Sequence, residues 1–181
     1  MKLDLTKLLS AGDGQEEYSV TFDMPEVSHY GEAFTVEKAA PFDLSVKNES
    51  GKSLNVSGNT TVTVTIPCDR CLKDVTVDFP VEIDEDFAIE DEQIVTDSDE
   101  NEDLAEGKSV DVDRLVYDQM EMNWPDKVLC KPDCKGLCPV CGHDLNEGDC
   151  GCNKQALDPR MAQFLDVFNN AKKKKKKNTQ S

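Results

Sequence analysis

Residues 61–83 read TVTVTIPCDRCLKDVTVDFPVEI, and this stretch decides the fold. Apolar and polar residues alternate on both sides of the two cysteines, and the apolar set is Val62, Val64, Ile66, Val75, Val77, Phe79, Val81 and Ile83. A period of two is typical of a β-strand that buries one face. The stretch therefore predicts two antiparallel strands joined by a tip that contains Cys68-Asp69-Arg70-Cys71.

A two-residue loop at Asp69-Arg70 would set the register of this hairpin. Cys68 would then lie opposite Cys71, and Val64 would lie opposite Val75. All the apolar side chains would share one face, and a one-residue slip would destroy that agreement. We therefore expect the two cysteines to lie side by side at the hairpin tip.

The same alternation extends through residues 16–87, for example at Tyr18, Val20 and Phe22. A short helix is predicted before it, over Leu3 to Leu9, because glycines follow that apolar segment. Residues 1–89 are therefore interpreted as an antiparallel β-rich domain with an N-terminal helix.

Charge is distributed unevenly along the chain. The 37 acidic and 20 basic residues give a net charge of −17, which disfavours general attraction to nucleic acid. Residues 84–106 contain no lysine or arginine, whereas residues 172–177 are all lysine. Because residues 90–108 are acidic and carry few large hydrophobic side chains, they are interpreted as an acidic mobile loop. Residues 172–181 form a lysine-rich tail.

Two helices are predicted in the second half of the chain. The first lies within residues 109–128, a helix and its connector, because Ser109 or Asp111 can cap it and Pro125 ends it. The second lies within residues 153–171 and begins near Pro159, which suits a first helical turn.

Six of the eight cysteines lie in residues 129–152. The segment Cys138-Pro139-Val140-Cys141-Gly142 has the spacing of a zinc knuckle, in which two thiolates converge on one ion. A closed site needs four ligands, which we expect to be four of the six cysteines Cys130, Cys134, Cys138, Cys141, Cys150 and Cys152. The predicted cofactor is one structural Zn²⁺ ion, because a cysteine-only site has no open coordination position for catalysis.

These elements together define the predicted fold class as α+β. It is a mainly antiparallel β domain with a C-terminal helix and a small cysteine-rich zinc-binding module at residues 129–152.

The pair Cys68 and Cys71 has three interpretations. It is half of a metal site, a reversible dithiol, or a pair that contacts a partner. A redox pair normally places its first cysteine at the N-terminus of a helix, and no helix is predicted here. A thiol-redox protein that uses Cys68 and Cys71 is nevertheless the rival to a binding function.

The sequence carries no signature of other chemistry. It has no glycine-rich phosphate loop, and no serine or cysteine has an identifiable histidine partner, so we predict no enzyme and no small-molecule substrate. Neither a signal-peptide core nor an apolar run of membrane length is present, so the predicted location is cytoplasmic and no membrane partner is expected. In that compartment, eight cysteines favour metal ligation over disulfides.

Four segments together resemble the YceD family, which is associated with accumulation of large-subunit ribosomal RNA. They are Val64-Thr65-Ile66-Pro67-Cys68-Asp69-Arg70-Cys71, the acidic strand over residues 81–87, the helix from Val112, and residues 129–142, which read LCKPDCKGLCPVCG. The combination is more specific than either cysteine motif alone.

The resemblance implies a non-enzymatic ribosome biogenesis factor. Its expected partners are a ribosomal RNA precursor, a basic ribosomal protein, or both. Cys68, Arg70 and Cys71 match the characteristic hairpin of the family and are candidate contacts with such a partner. Phosphate contacts are also expected from the tail, at Lys172, Lys173 and Lys174.

Overall fold

The structure is a computed structural model that describes residues 1–96 and 104–152. The chain divides into two compact units, Met1–Pro132 and Asp133–Ser181. Regular secondary structure in the described residues lies in the first unit. The predicted C-terminal helix and the lysine-rich tail lie outside the described residues.

The described residues of the first unit form ten strands and two helices. In chain order they are β1 (Lys2–Asp4), α1 (Thr6–Ala11), β2 (Gly14–Val20), β3 (Glu26–His29), β4 (Glu32–Ala39), β5 (Phe42–Glu49), β6 (Ser53–Pro67), β7 (Asp74–Glu90), β8 (Gln93–Val95), β9 (Ala105–Glu106), β10 (Ser109–Asp111) and α2 (Val112–Met122). A mainly antiparallel β domain was the prediction from the alternating pattern, and the structure confirms it.

Strand β6 is the centre of the main sheet. It pairs along its whole length with β7, and on its other edge it pairs first with β5 and then with β4. Strands β2, β3 and β8 complete the seven-stranded sheet, in which every pairing is antiparallel. Gly58 is the last residue of β6 that pairs with β5, opposite Leu44, and pairing with β4 begins at Val62.

The register of the β6–β7 hairpin differs from the prediction by two residues. Val64 lies opposite Val77 rather than Val75, and the connecting loop spans residues 68–73 instead of Asp69-Arg70 alone. A slip of two residues keeps every apolar side chain on the same face, so the hydrophobic pattern could not separate the two registers. Cys68 and Cys71 therefore lie within the loop rather than opposite each other across two strands.

Alternation gives the hairpin one buried and one exposed face. Val62, Val64 and Ile66 are buried on β6, as are Phe79, Val81 and Ile83 on β7. The exposed positions of β7 include a row of acidic residues, Asp74, Asp78, Glu82, Asp84 and Asp86. One face of the sheet therefore forms the core, and the other presents negative charge to solvent.

Helix α2 packs on the sheet through an apolar stripe at helical spacing. Val112, Leu115, Val116 and Met120 are buried, and the Asp111 side chain caps the helix by accepting from the backbone N–H groups of Asp113 and Arg114. Asp111 is one of the two caps that the sequence predicts. Met122, the last residue of the helix, is 70% exposed.

The N-terminal segment also differs from the prediction. The helix begins at Thr6 rather than Leu3, because residues Lys2–Asp4 form β1 and pair with β10. Its predicted end is confirmed, since Gly12 adopts a left-handed conformation at φ 74° that favours glycine. Asn48, which is fully buried, donates to the Leu8 carbonyl and accepts from the backbone N–H of Gly51.

Ordered strands occur at both ends of residues 90–108, which the sequence predicted to be a loop. Ile94 in β8 and Leu104 are buried against the core, and β9 follows at Ala105–Glu106. Residues 97–103 lie outside the described residues.

The described part of the second unit, residues 133–152, consists of turns. It contains one isolated antiparallel bridge between Leu137 and Asp144. In the described residues, no helix is long and apolar enough to cross a membrane.

Candidate metal-binding sites and adjoining groove

The loop between β6 and β7 is shaped by hydrogen bonds of its own backbone. The N–H of Cys68 donates to the carbonyl of Lys73 at 2.8 Å, and the N–H of Leu72 donates to the carbonyl of Cys68 at 2.9 Å. Leu72 adopts a positive φ of 60°, an uncommon backbone conformation for a side chain of its size. Cys68 and Cys71 are both buried in this tight turn, whereas Arg70 between them is exposed.

The segment that follows α2 is hydrogen-bonded to this loop. The N–H of Asp69 donates to the carbonyl of Val128 at 2.9 Å, and the Asp69 carboxylate accepts from the N–H of Val128 at 2.8 Å. This reciprocal pair holds residue 128 beside the turn and brings Cys130 to the two loop cysteines. The sulfur atoms of Cys71 and Cys130 are 3.5 Å apart.

Four cysteine sulfur atoms gather here, from Cys68, Cys71, Cys130 and Cys134, and we call them the hairpin group. All four lie within 4.8 Å of one another. The side-chain amide of Asn146 also donates to the sulfur of Cys134 at 3.4 Å. An arrangement of four sulfur atoms this compact could hold a metal ion.

The other four cysteines, Cys138, Cys141, Cys150 and Cys152, form the knuckle group, and their sulfur atoms also lie within 4.8 Å of one another. The N–H of Cys138 donates to the carbonyl of His143 at 2.8 Å, and the N–H of Gly142 donates to the carbonyl of Cys138 at 2.9 Å. Gly142 adopts φ 73°, the left-handed conformation that favours glycine, in the turn behind Cys138 and Cys141. None of the eight cysteines, all of which lie in the described residues, takes part in a disulfide.

One thiol in each group has a lowered pKa. Burial opposes ionisation of Cys68, but backbone N–H groups of Cys130, Arg70 and Cys71 outweigh it and lower its pKa to about 6. For Cys138, the N–H groups of Val140 and Cys141 lower the pKa to about 6. Such N–H donors stabilise the thiolate form, which is the form that binds metal.

Two other thiols of the knuckle group, Cys150 and Cys152, resist ionisation when no cation is present. Hydrogen bonds from Cys152 to Cys141 and Cys150 raise its pKa to about 12. The pKa of Cys150 is also raised, although the N–H of Cys152 favours its thiolate, because the neighbouring Cys138 sulfur and burial oppose it. Four thiolates at this spacing repel one another, so a bound cation is needed to ionise all of them.

The structure divides the six predicted zinc candidates between the two groups. Four of them form the knuckle group, whereas Cys130 and Cys134 join Cys68 and Cys71. His143 contributes a backbone carbonyl to the knuckle turn. Lys172, Lys173 and Lys174 lie outside the described residues. Sequence reasoning missed that Cys130 lies beside the hairpin cysteines. The short spacing within each cysteine pair is visible in the sequence, but it does not tell which two pairs meet.

A groove of about 560 Å³ adjoins the hairpin loop in the first unit. Its lining includes four acidic residues, Glu32, Asp69, Glu121 and Asp126, and no lysine or arginine. His29, the last residue of the outer strand β3, stacks on Trp124 with ring centroids 4.2 Å apart and hydrogen-bonds to Glu121 at 3.0 Å. Tyr30 at its rim is 96% exposed.

The fold and the two groups of cysteines define a small antiparallel-sheet protein with tetracysteine sites suited to metal. The chain belongs to the YceD family, described as large ribosomal RNA subunit accumulation protein YceD, whose model matches residues 56–167. That range includes the hairpin, both groups of cysteines and α2. The family name connects the chain with accumulation of large-subunit ribosomal RNA and names no reaction.

Several curated proteins are similar to this chain. An uncharacterised protein of Mycobacterium tuberculosis is 28% identical over 139 residues, which are 76% of this chain and 67% of that protein. An uncharacterised protein of Mycobacterium leprae is 27% identical over 149 residues, 80% of this chain and 68% of that protein. The chloroplastic YCED homolog 1 of Zea mays, named a large ribosomal RNA subunit accumulation protein, is 34% identical over 64 residues, 33% of this chain and 22% of that protein. No solved structure matches the chain significantly.

Proposed function

We propose that this protein is a non-enzymatic ribosome biogenesis factor that supports accumulation of large-subunit ribosomal RNA by binding a basic ribosomal protein, a ribosomal RNA precursor, or both. The family match over residues 56–167 is the observation that carries the proposal. The cytoplasm is its proposed site of action.

The charge of the sheet favours a basic protein as the first partner. Asp78, Glu82, Asp84 and Asp86 are exposed in a row on β7, opposite threonine, serine and asparagine residues of β6. A surface of this sign attracts cationic partners over a Debye length of about 8–10 Å and repels phosphates. The net charge of −17 acts in the same direction.

The groove is the place where we propose that a cationic side chain of that partner binds. Glu32 and Asp126 are exposed carboxylates, and the neighbouring Trp124 offers an aromatic wall. A guanidinium group combines hydrogen bonding to carboxylates with stacking on aromatic rings. An arginine of a basic protein therefore fits the chemistry of the lining.

Direct contact with RNA is the second route. Arg70 is exposed at the hairpin tip, where its guanidinium can bind a phosphate, and Lys172 to Lys174 supply further positive charge. Both regions carry the opposite sign to the acidic face of the sheet, so they, and not that face, would bind RNA.

Zinc in the knuckle group is proposed as structural. Four sulfur ligands close the coordination sphere, so the ion would hold the turns of residues 138–152 together and leave no position for a substrate. Thiol-redox chemistry at Cys68 and Cys71 has one favourable observation, the lowered pKa of Cys68. Against it, the Cys68 side chain is fully buried, whereas a redox thiol must be accessible.

Affinity purification from growing cells, with and without nuclease, tests the proposal. A basic ribosomal protein retained after nuclease treatment supports the protein route, whereas ribosomal RNA lost together with all ribosomal proteins supports the RNA route. Absence of every ribosomal component from both samples would refute the function.

Fluorescence of Trp124, the only tryptophan in the chain, tests the groove directly. Titration with an arginine-rich peptide should change its emission. Glu32→Gln/Asp126→Asn should weaken binding about two- to thirty-fold, since each of the two exposed ion pairs contributes roughly 0.2–1 kcal/mol. The control Glu17→Gln/Asp43→Asn removes the same charge from exposed positions outside the groove. Equal weakening in both variants would show that total charge, and not the groove, governs binding.

A further inference from the structure

The hairpin group consists of two cysteine pairs that are far apart in sequence. Cys68 and Cys71 lie in the β6–β7 loop, and Cys130 comes 59 residues after Cys71. Their convergence depends on the fold, since the reciprocal hydrogen bonds of Asp69 and Val128 bring the later segment to the loop.

We propose that Cys68, Cys71, Cys130 and Cys134 form a second structural Zn²⁺ site, so that each chain holds two ions, one in the hairpin group and one in the knuckle group. This site goes beyond the single ion that the sequence predicts, and it does not depend on the proposed function.

The distances between sulfur atoms fit a tetrahedral ion. A zinc–sulfur bond is about 2.3 Å long, so a regular tetrahedron of sulfur ligands has edges of about 3.8 Å. The Cys71–Cys130 separation is 3.5 Å, and the upper limit for all pairs in the group is 4.8 Å. Shifts of well under 1 Å per sulfur atom bring the group to that geometry.

The donor set selects the class of metal. The four ligand atoms are all sulfur, which suits zinc and disfavours magnesium or calcium, because the latter prefer oxygen. Cys68, Cys71 and Cys134 are buried and Cys130 is exposed, so three of the four cysteines are shielded from solvent. Four sulfur ligands leave no open coordination position, which is the arrangement of structural rather than catalytic zinc.

Hydrogen bonds around the sulfur atoms complete the site. Backbone N–H groups of Cys130, Arg70 and Cys71 are directed at the Cys68 sulfur, and the Asn146 amide donates to the Cys134 sulfur. An ion with four thiolates carries a net charge of −2, and such donors disperse that charge and orient the ligands.

The proposed ion has a consequence for the groove. Asp69 and Val128, which belong to the two segments that the ion would join, both line it. Zinc at the hairpin group therefore fixes one wall of the groove, and loss of this ion should release that wall while the ion in the knuckle group remains.

Metal content per chain tests the site. Protein purified without chelator should contain two zinc ions, and Co²⁺ added to the metal-free protein should bind with two equivalents and give intense sulfur-to-cobalt charge-transfer absorption. Cys68→Ser/Cys71→Ser should contain one ion. The matched variant Cys138→Ser/Cys141→Ser should also contain one ion, and it should keep the hairpin site.

The number of zinc ions per wild-type chain keeps the test decisive even if a variant fails to fold. One ion per wild-type chain, retained in full by Cys68→Ser/Cys71→Ser, would overturn the proposal, as would a Cys71–Cys130 disulfide found after alkylation and denaturation. Neither result concerns ribosomal components, so the two-ion site and the proposed function can fail separately.

Discussion

Gly58 should resist replacement by alanine, although it lies within a strand. A Cβ atom at this position would lie 3.0 Å from the carbonyl oxygen of Asp43 and 3.1 Å from the Leu44 Cδ1 atom. The first of these is backbone of the paired strand β5, which cannot move without disturbing the sheet. We therefore expect overpacking in Gly58→Ala.

Two opposing terms set the size of the effect. Overpacking a well-packed site typically costs about 1–3 kcal/mol. Alanine recovers about 0.5–1 kcal/mol, because glycine loses more conformational freedom on folding. The net loss in the free energy of unfolding should be roughly 1–2 kcal/mol, which lowers the urea midpoint by roughly 0.5–1 M at an m-value of about 2 kcal/mol/M.

Equilibrium urea unfolding, followed by far-UV circular dichroism at a fixed zinc concentration, measures this loss. Ser57→Ala is the matched control, because Ser57 is the adjacent residue of β6 and already carries a Cβ atom. A Gly58→Ala variant as stable as the wild type, or more stable, would refute the close approach of β5 to β6 at this point.

Two other perturbations have defined outcomes. Asn48→Ala should lower the free energy of unfolding by about 1–3 kcal/mol, measured by the same urea titration, because the Leu8 carbonyl and the Gly51 N–H lose a buried partner; an unchanged midpoint would contradict that assignment. Deletion of Lys172 to Lys177 should weaken RNA binding and reduce the salt slope by up to about 4, since each phosphate contact on single-stranded RNA contributes roughly 0.7. Filter-binding titrations at several salt concentrations measure the slope. The variant Arg70→Ala tests whether the hairpin tip adds to it. Identical slopes for the wild type, the tail deletion and Arg70→Ala would exclude direct RNA contact by these residues.

Much of the sheet could be predicted because its information is local. The alternation at Val62, Val64 and Ile66 determines which face of β6 is buried, whatever strand it pairs with. The cap at Asp111 and the stop at Gly12 are equally local, since each depends on one residue and its immediate backbone.

Long-range pairing could not be predicted from the same pattern. Strand β6 continues through Gly58 and exchanges its neighbour from β5 to β4, and the alternating pattern carries no sign of that exchange. Similarly, His29 and Trp124 lie 95 residues apart in sequence but stack in the groove. No local signal relates such residues.

The sequence by itself determined that residues 61–83 form an amphipathic hairpin and that the cysteines are spaced as ligand pairs, because side-chain alternation and short ligand spacing are properties of neighbouring residues. Only the tertiary structure decided which pairs of cysteines come together in a group that could hold an ion. The Asp69–Val128 hydrogen bonds bring Cys130 to Cys71, and a two-residue shift of register places Cys68 and Cys71 within one turn. The physical reason is that both registers bury the same side chains, so contacts between distant segments had to select one of them.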